Sequence, residues 1–356
     1  MLAPVSRPLP PVRADLRDLP GYVPGARPSG TAVKLSSNEN PHPLPASLRD
    51  AVRAAVDQVN RYPDMVAGEL TATLAQRLGV EPGSVVAGNG SVAVLEHVLR
   101  AFCEPGDEVV HAWRSFEAYP IAVTVSGAIG VRVPLDQHSR HDLPAMLAAV
   151  GPRTRAVLVC TPNNPTGPAV ERGELTAFLD ALPPHVLVVL DEAYREFTHP
   201  GSVDGVALLA RYPNIVVLRT FSKAYGLAGL RVGYAVAHPD LAAAVRLTAT
   251  PFGVNHVAQV AALAALDAEA ELMERVALIV AERDRVLAGL RASGWDVPDS
   301  EANFVWLPAG GRSLELAADA AAHGLILRPF ADEGIRITVG LPDENDRVIE
   351  VVGTWR

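Results

Sequence analysis

Four short stretches of this sequence place residues able to do chemistry directly after runs of apolar, largely β-branched residues. Thr161-Pro162-Asn163-Asn164-Pro165-Thr166-Gly167 follows Ala156–Cys160, and Asp191-Glu192-Ala193-Tyr194 follows Val186–Leu190. Thr220-Phe221-Ser222-Lys223, with Gly226, Gly229 and Arg231 beyond it, follows Ile215–Arg219. Gly88-Asn89-Gly90-Ser91 follows Val85–Ala87 and opens a helical pattern. In an open α/β sheet, ligands sit beyond the carboxyl ends of the strands. Polar groups at four strand ends therefore read as one site assembled across several strands.

Each stretch has a plainer explanation when taken alone. Asn-Pro-Thr-Gly is built of turn formers. Lys223 could be a solvated surface lysine, and Arg231 one half of a surface ion pair. Asp191 resists such a reading, because a carboxylate at the end of a buried strand costs free energy unless it is paired.

Pyridoxal phosphate accounts for the whole set. A lysine amine can condense with its aldehyde, and an acid can keep its pyridine nitrogen protonated as an electron sink. Lys223 and Asp191 supply these groups. Asn164 and Tyr194 could donate to the phenolic oxygen. The phosphate wants a helix N-terminus with hydroxyl and cationic groups. Gly90, Ser91 and Val92 fit that need, together with Ser222 and Arg231, and Thr220 joins the expected cofactor-binding residues.

The elements that must position these residues follow from the periodicity. Helical patterns cover Pro45–Val59 and Gly68–Leu78, with Gly79 as a C-cap. Strands at Val85–Ala87, Glu108–Ala112, Val131–Pro134, Ala156–Cys160, Val186–Leu190 and Ile215–Arg219 are mostly separated by helical patterns. That alternation predicts βαβ units and an α/β fold with a largely parallel sheet covered by helices. Asp240–Arg291 reads as long helices. A small α+β unit follows, with strands at Asn303–Leu307, Gly324–Leu327 and Ile335–Val339. The proline-rich arm up to about Ser36 reads as extended, since each proline biases its predecessor away from helix. The implied organisation is an arm over 1–36 joining the small domain, a large ligand-binding domain over 37–245, and a helical connection with a small domain over 246–356.

Composition narrows the function class. The chain has 356 residues, 49% hydrophobic and 20% charged, which suits a globular protein with room for two domains. A net charge of −9 spread along the chain disfavours nucleic acid as a partner. With two cysteines, Cys103 and Cys160, a disulfide framework is not expected and a reduced cytoplasmic compartment is. The first 30 residues have no continuous apolar core of the kind a secretion signal needs, and no uncharged apolar run is long enough to span a membrane. His138 and His141 sit in a charged loop without HExxH spacing, so a metal is not expected.

The motifs resemble a known family. Asn164-Pro165-Thr166-Gly167, Asp191-Glu192-Ala193-Tyr194, Ser222-Lys223 and Gly229-Leu230-Arg231-Val232-Gly233 look like the signature of the class II aminotransferases of fold type I. Asn60-Arg61-Tyr62-Pro63 and Ile335-Arg336-Ile337-Thr338-Val339-Gly340 are similar to the histidinol-phosphate aminotransferase branch. Within it, Gly21-Tyr22-Val23-Pro24-Gly25, Trp113-Arg114-Ser115-Phe116-Glu117-Ala118-Tyr119-Pro120 and Ala302-Asn303-Phe304-Val305-Trp306-Leu307-Pro308 look most like the actinobacterial aromatic (phenylalanine) aminotransferases.

The resemblance implies the fold-type-I architecture and a role for each matching position. Lys223 would hold the cofactor and shuttle the substrate Cα proton. Asp191 would pair with the pyridine nitrogen, Asn164 and Tyr194 would hold the phenolic oxygen, and Phe116 would stack on the ring. Arg336 would clamp the substrate α-carboxylate, a bidentate task suited to arginine. Tyr22, Asn40, Phe252 and Arg328 join it in the expected substrate pocket. Tyr62 would reach the phosphate of a neighbouring subunit's cofactor, which implies a homodimer with shared sites.

Two departures bear on the substrate. Ser91-Val92-Ala93 follow Gly90 where many histidinol-phosphate enzymes carry an acidic residue. Phe252 stands where users of imidazole phosphates often place tyrosine, which favours an uncharged aromatic side chain. Arg27 and Arg328 remain as cations that could meet a phosphate or a second carboxylate. The resemblance thus implies ping-pong transfer from an aromatic L-amino acid to a 2-oxo acid such as 2-oxoglutarate, with histidinol phosphate as the alternative donor.

Three rival readings stand beside it. Gly88-Asn89-Gly90-Ser91-Val92-Ala93 satisfies the dinucleotide pattern G-x-G-x-x-A, with Asp107 and Glu108 downstream. An NAD-dependent dehydrogenase would leave Lys223, Asp191 and Asn-Pro-Thr-Gly unexplained. A threonine-phosphate decarboxylase-like enzyme shares the cofactor and the branch. A non-catalytic regulator is disfavoured by the reactive lysine.

Overall fold

The computed structural model describes residues 10–17, 19–26 and 30–355. Twelve strands appear in chain order among the described residues. They are β1 (Val33–Lys34), β2 (Val85–Gly88), β3 (Glu108–Trp113), β4 (Ile129–Pro134), β5 (Thr154–Cys160) and β6 (Leu187–Asp191), then β7 (Ile215–Thr220), β8 (Gly233–Ala237), β9 (Phe304–Leu307), β10 (Leu325–Ile326), β11 (Arg328–Phe330) and β12 (Gly334–Thr338). Strands β2 to β8 form a seven-stranded sheet in the order β2-β8-β7-β6-β5-β3-β4. Its pairings are parallel except those of β8, which is antiparallel to both β7 and β2. The chain returns from β7 to β8 without an intervening helix, so it turns back on itself instead of crossing over.

The direction of β8 matters for the site. Because β2 and β7 both run against it, they run with one another. The carboxyl ends of β2, β3, β5, β6 and β7 therefore share one edge, and the start of β8 lies there too.

Both faces of the sheet are buried, as continuous Val/Leu/Ile runs require. Along β5, Val157 and Val159 enter one apolar layer while Ala156, Leu158 and Cys160 enter the other. The first layer is closed by helices Gly68–Leu78, Arg172–Ala181 and His256–Asp267. The second is closed by helices Ser91–Phe102, Ala118–Ser126 and Pro239–Thr248. Helix Gly68–Leu78 ends at Gly79 in the left-handed conformation, as the sequence suggests.

A three-stranded antiparallel sheet, β11-β12-β9, packs with helices Ser313–Ala322 and Pro342–Gly353 around a third cluster containing Val305, Ile335, Val348 and Trp355. Helix Glu269–Ala292 contributes to both the first and third clusters. Strand β1 pairs in parallel with β10.

Some local expectations need correction. Residues Ala14–Arg17 form one helical turn inside the arm read as extended, where Asp15 and Arg17 suit its two ends. The Pro45–Val59 pattern is helical to Ala55 and continues as a 3₁₀ turn to Gln58. Strand β11 was not expected, since Pro329 disguises a three-residue strand that pairs on one side only.

Candidate active site

The strand ends enclose a cavity of about 510 Å³. Its floor is Asp191, the last residue of β6, which is 6% exposed. Strand alternation turns Asp191 toward the face of Leu187 and Val189, where Tyr119 packs from helix Ala118–Ser126. The Tyr119 hydroxyl donates to Asp191 Oδ2 at 2.8 Å, and the Ala193 N–H donates to Oδ1 at 3.3 Å. Burial raises the carboxyl to about 6, and these donors oppose that rise.

Lys223 enters from the loop after β7, and its Nζ donates to the Ser37 carbonyl at 3.2 Å. Burial, followed by the positive field of Arg336, lowers its amine to about 7. A large fraction is therefore neutral and nucleophilic near neutrality. Tyr194 is buried, accepts from Asn38 Nδ2 at 2.9 Å, and has its hydroxyl held protonated by burial.

Arg336 reaches the cavity from β12 and is itself buried. It donates to Asn164 Oδ1 at 2.6 Å and to the Ser36 carbonyl at 2.8 Å. With Oδ1 engaged this way, the Asn164 amide nitrogen is left to serve a ligand. Arg336 Nε is buried without a partner among the described residues. A buried donor left unspent is costly, so the site has unused capacity for an acceptor.

At the other end, Gly90 caps helix Ser91–Phe102 at φ 87. A Cβ on Gly90 would come within 2.5 Å of Arg231 Nη2, so only glycine lets the guanidinium lie against the helix start. Arg231 itself adopts φ 59 and donates to Ser222 Oγ at 3.4 Å. Thr220 Oγ1 accepts from the Ser222 N–H at 3.1 Å. Exposed N–H groups, two hydroxyls and a guanidinium form an anion site.

Of the residues expected from sequence, Ser91, Val92, Asn164, Asp191, Tyr194 and Thr220 line this one cavity, as do Ser222, Lys223, Arg231 and Arg336. Tyr22, Phe116 and Arg328 line it as well, with Tyr22 and Phe116 edge-to-face at 6.4 Å. Gly90, the N-cap of the helix that Ser91 opens, adjoins the cavity without lining it, and three others are not brought there. Asn40 is turned to the Ala224 carbonyl and the His42 N–H. Tyr62 and Phe252 stack on each other at 4.7 Å beside a separate surface cavity. Arg27 lies outside the described residues. Sequence reasoning gave no role to Tyr119, Asn38 or Glu117. A larger cavity of about 940 Å³, bordered by Leu78, Glu196 and Met273, contains none of the expected site residues.

A lysine, a buried acid, an anion cradle and an arginine clamp thus converge on one cavity. The family model for class I and II aminotransferases matches residues 31–352. The chain belongs to the class I and II aminotransferases. An aromatic amino acid aminotransferase of Thermobifida fusca is 54% identical over 349 residues, covering 97% of each chain. One from Streptomyces avermitilis is 53% identical, covering 98% of each. Among solved structures, the histidinol-phosphate aminotransferase of Sinorhizobium meliloti in complex with pyridoxal-5′-phosphate is 30% identical, with a TM-score of 0.87. That match covers 97% of this chain and 98% of the other. The fold-type-I architecture and the transaminase class expected from sequence are thereby established for this aminotransferase. No helix among its described residues is long and apolar enough to cross a membrane.

Proposed function

We propose that this aminotransferase uses pyridoxal 5′-phosphate to pass the amino group of an aromatic L-amino acid to 2-oxoglutarate in a ping-pong exchange. The observation that carries the reading is the convergence of Lys223, with its lowered amine, and Asp191, with its buried carboxylate, on one cavity. The residues present fit the cofactor. Lys223 would hold it, Asp191 would face its ring nitrogen, and Asn164 and Tyr194 would serve its phenolic oxygen. Phe116 would stack on its ring. Gly90, Ser91, Val92, Thr220, Ser222 and Arg231 would cradle its phosphate. When bound, pyridoxal phosphate supplies an electron sink that makes the substrate Cα–H acidic.

The chain's own residues do the rest. Arg336 would bind the substrate carboxylate through its unpartnered Nε and a spare guanidinium N–H, while Asn164 and the Ser36 carbonyl hold the fork in place. The neutral Lys223 Nζ would take the substrate Cα proton onto its lone pair and hold it as the ammonium. Tyr119 and the Ala193 N–H keep Asp191 ionised and oriented.

An aromatic donor is supported by the names of the similar proteins and by the rings of Tyr22 and Phe116 in the cavity wall. Arg328 in the same wall favours a second reading, histidinol phosphate as donor.

The working unit is a homodimer with shared sites. The exposed cluster of Tyr62, Phe252, Val59 and Met65 suits burial against a second copy, from which Tyr62 would reach the neighbouring cofactor. The chain divides into an arm over 1–36, a large domain over 37–245 and a connection with a small domain over 246–356. Two buried free cysteines suit a cytoplasmic enzyme.

A half-reaction titration tests the donor. Purified holoenzyme is mixed separately with L-phenylalanine, L-tyrosine, L-histidinol phosphate and L-threonine phosphate, and the visible cofactor band is followed. Bleaching by the aromatic acids at the lowest concentration is expected. Preference for histidinol phosphate would refute the aromatic reading, and failure to bind the cofactor at all would refute the whole.

A further inference from the structure

The cations around the cavity are not equivalent. Arg231 and Arg336 rest on neutral partners, Ser222 Oγ and the Ala228 carbonyl for one, Asn164 Oδ1 and the Ser36 carbonyl for the other. They are the two that the proposed function assigns to two anions, a phosphate and an α-carboxylate. Arg328 differs. Its Nη2 donates to both oxygens of Glu117, at 2.8 and 3.0 Å, and the two side chains are only 11% and 23% exposed.

Glu117 is the residue just before helix Ala118–Ser126, and Phe116 and Ala118 on either side of it line the cavity. Arg328 starts β11 directly opposite Arg336 on β12. Arg328 and Glu117 both act on the ionisation of Arg336, so the pair stands close to the carboxylate clamp. Beyond it, Phe330 carries the Arg328 guanidinium at 5.2 Å from its ring centre and that of Arg114 at the same distance. Arg114 is in turn bound to Glu333. The pair therefore sits in a braced lattice, not on a free surface.

We infer that Glu117 is a specificity-determining residue, whose carboxylate competes with the side chain of an incoming amino acid for Arg328. This rests on the aminotransferase reading and deepens it. A substrate with an anionic side chain must displace Glu117 from Arg328, leaving a half-buried carboxylate unpaired. A substrate with an uncharged ring leaves the pair intact and packs against Tyr22 in the cavity wall. The sequence-based expectation that Arg328 binds substrate is thus modified. Arg328 is available only against a built-in competitor.

The test compares single-turnover half-reactions of the holoenzyme with L-glutamate and L-phenylalanine, for the wild type, Glu117→Gln, Glu117→Ala and Glu117→Gln/Arg328→Gln. The readout is the ratio of the two kcat/KM values in each protein. Releasing a charge-assisted pair corresponds to roughly tenfold or more, so the glutamate-to-phenylalanine ratio rises by that factor in both single variants. In the double variant it falls back toward the wild-type ratio, because the freed guanidinium is gone. An unchanged ratio in the single variants, or a rise that persists in the double variant, overturns the inference while leaving the aromatic reading intact. A wild-type enzyme inert to L-phenylalanine would instead overturn the aromatic reading itself.

Discussion

Replacing Tyr119 with phenylalanine removes one hydroxyl from beneath the cofactor site and nothing else. That hydroxyl gives Asp191 Oδ2 its 2.8 Å hydrogen bond. Burial has already lifted the Asp191 carboxyl to about 6, and the Tyr119 hydrogen bond is the largest influence restraining it. A hydrogen bond to a charged group contributes about 1.5–3 kcal/mol, or roughly one to two pH units. In Tyr119→Phe apoprotein, Asp191 should therefore titrate at about 7 to 8.

A protonated carboxyl cannot balance a pyridinium, so cofactor affinity falls wherever the variant is protonated and the wild type is not. The sign follows from linkage. Cofactor binding favours ionised Asp191, so its free energy is lost as pH falls through the apoprotein value. Titrating both apoproteins with pyridoxal phosphate, by visible absorbance across pH 6 to 9, reads this directly. The ratio of the two Kd values should reach about tenfold near pH 6.5 and close above about pH 8.5. Lys223 titrates in the same range but is common to both proteins and cancels in the ratio. A ratio that stays flat across pH would refute the role assigned to Tyr119, because a purely structural loss has no reason to close at high pH.

Other outcomes follow from the same geometry. Lys223→Ala should abolish turnover by several orders of magnitude while its circular dichroism and melting remain those of a folded protein, and near-normal activity would sink the assignment. Because the folded-state amine of Lys223 lies at about 7, below its ordinary value of 10.5, the native state binds fewer protons there than the unfolded chain. Apoprotein stability from this group should rise with pH above about 7, and thermal melts should show that slope flattened in Lys223→Met. Arg336→Lys should raise KM for the amino donor roughly ten- to hundredfold, since lysine cannot reproduce the bidentate fork, and steady-state kinetics would read it. Glu192→Gln removes one of the two carboxylates that Arg219 meets at 2.8 Å and leaves Asp204 as the other, so urea unfolding should lose about 1–3 kcal/mol, whereas unchanged stability would contradict the buried-pair reading.

Much of the site was legible because it lies at strand ends, and strand ends announce themselves as a change from apolar to polar residues. In the structure Asp191, Thr220 and Gly88 are the last residues of their strands, one residue beyond the ends that those transitions suggest. What escaped is the partnering. Tyr119 meets Asp191 across 72 residues of chain, Asn38 meets Tyr194 across 156, and Glu117 meets Arg328 across 211. Nothing local marks such pairs, since tertiary packing alone brings them together. Asn38 carries one faint local sign, a left-handed φ of 54 of the kind asparagine tolerates. Strand β8 is absent from the strands expected from sequence, and nothing local in its uniformly buried Gly233–Ala237 run gives its reversed direction.

The segment from Ser36 to Asn38 touches both sides of the chemistry, yet Ser36 and Ser37 do so only through their main-chain carbonyls, which hold Arg336 and Lys223. Neither contact depends on which side chain is present. Alanine at either position would leave both carbonyl acceptors in place, although at Ser36, which is fully buried, it would also remove the hydroxyl that donates to the Ala26 carbonyl at 3.4 Å. Removing a single residue from the segment is a different matter. It would slip both acceptors by one place at once, so what holds Arg336 and Lys223 here is the count of residues.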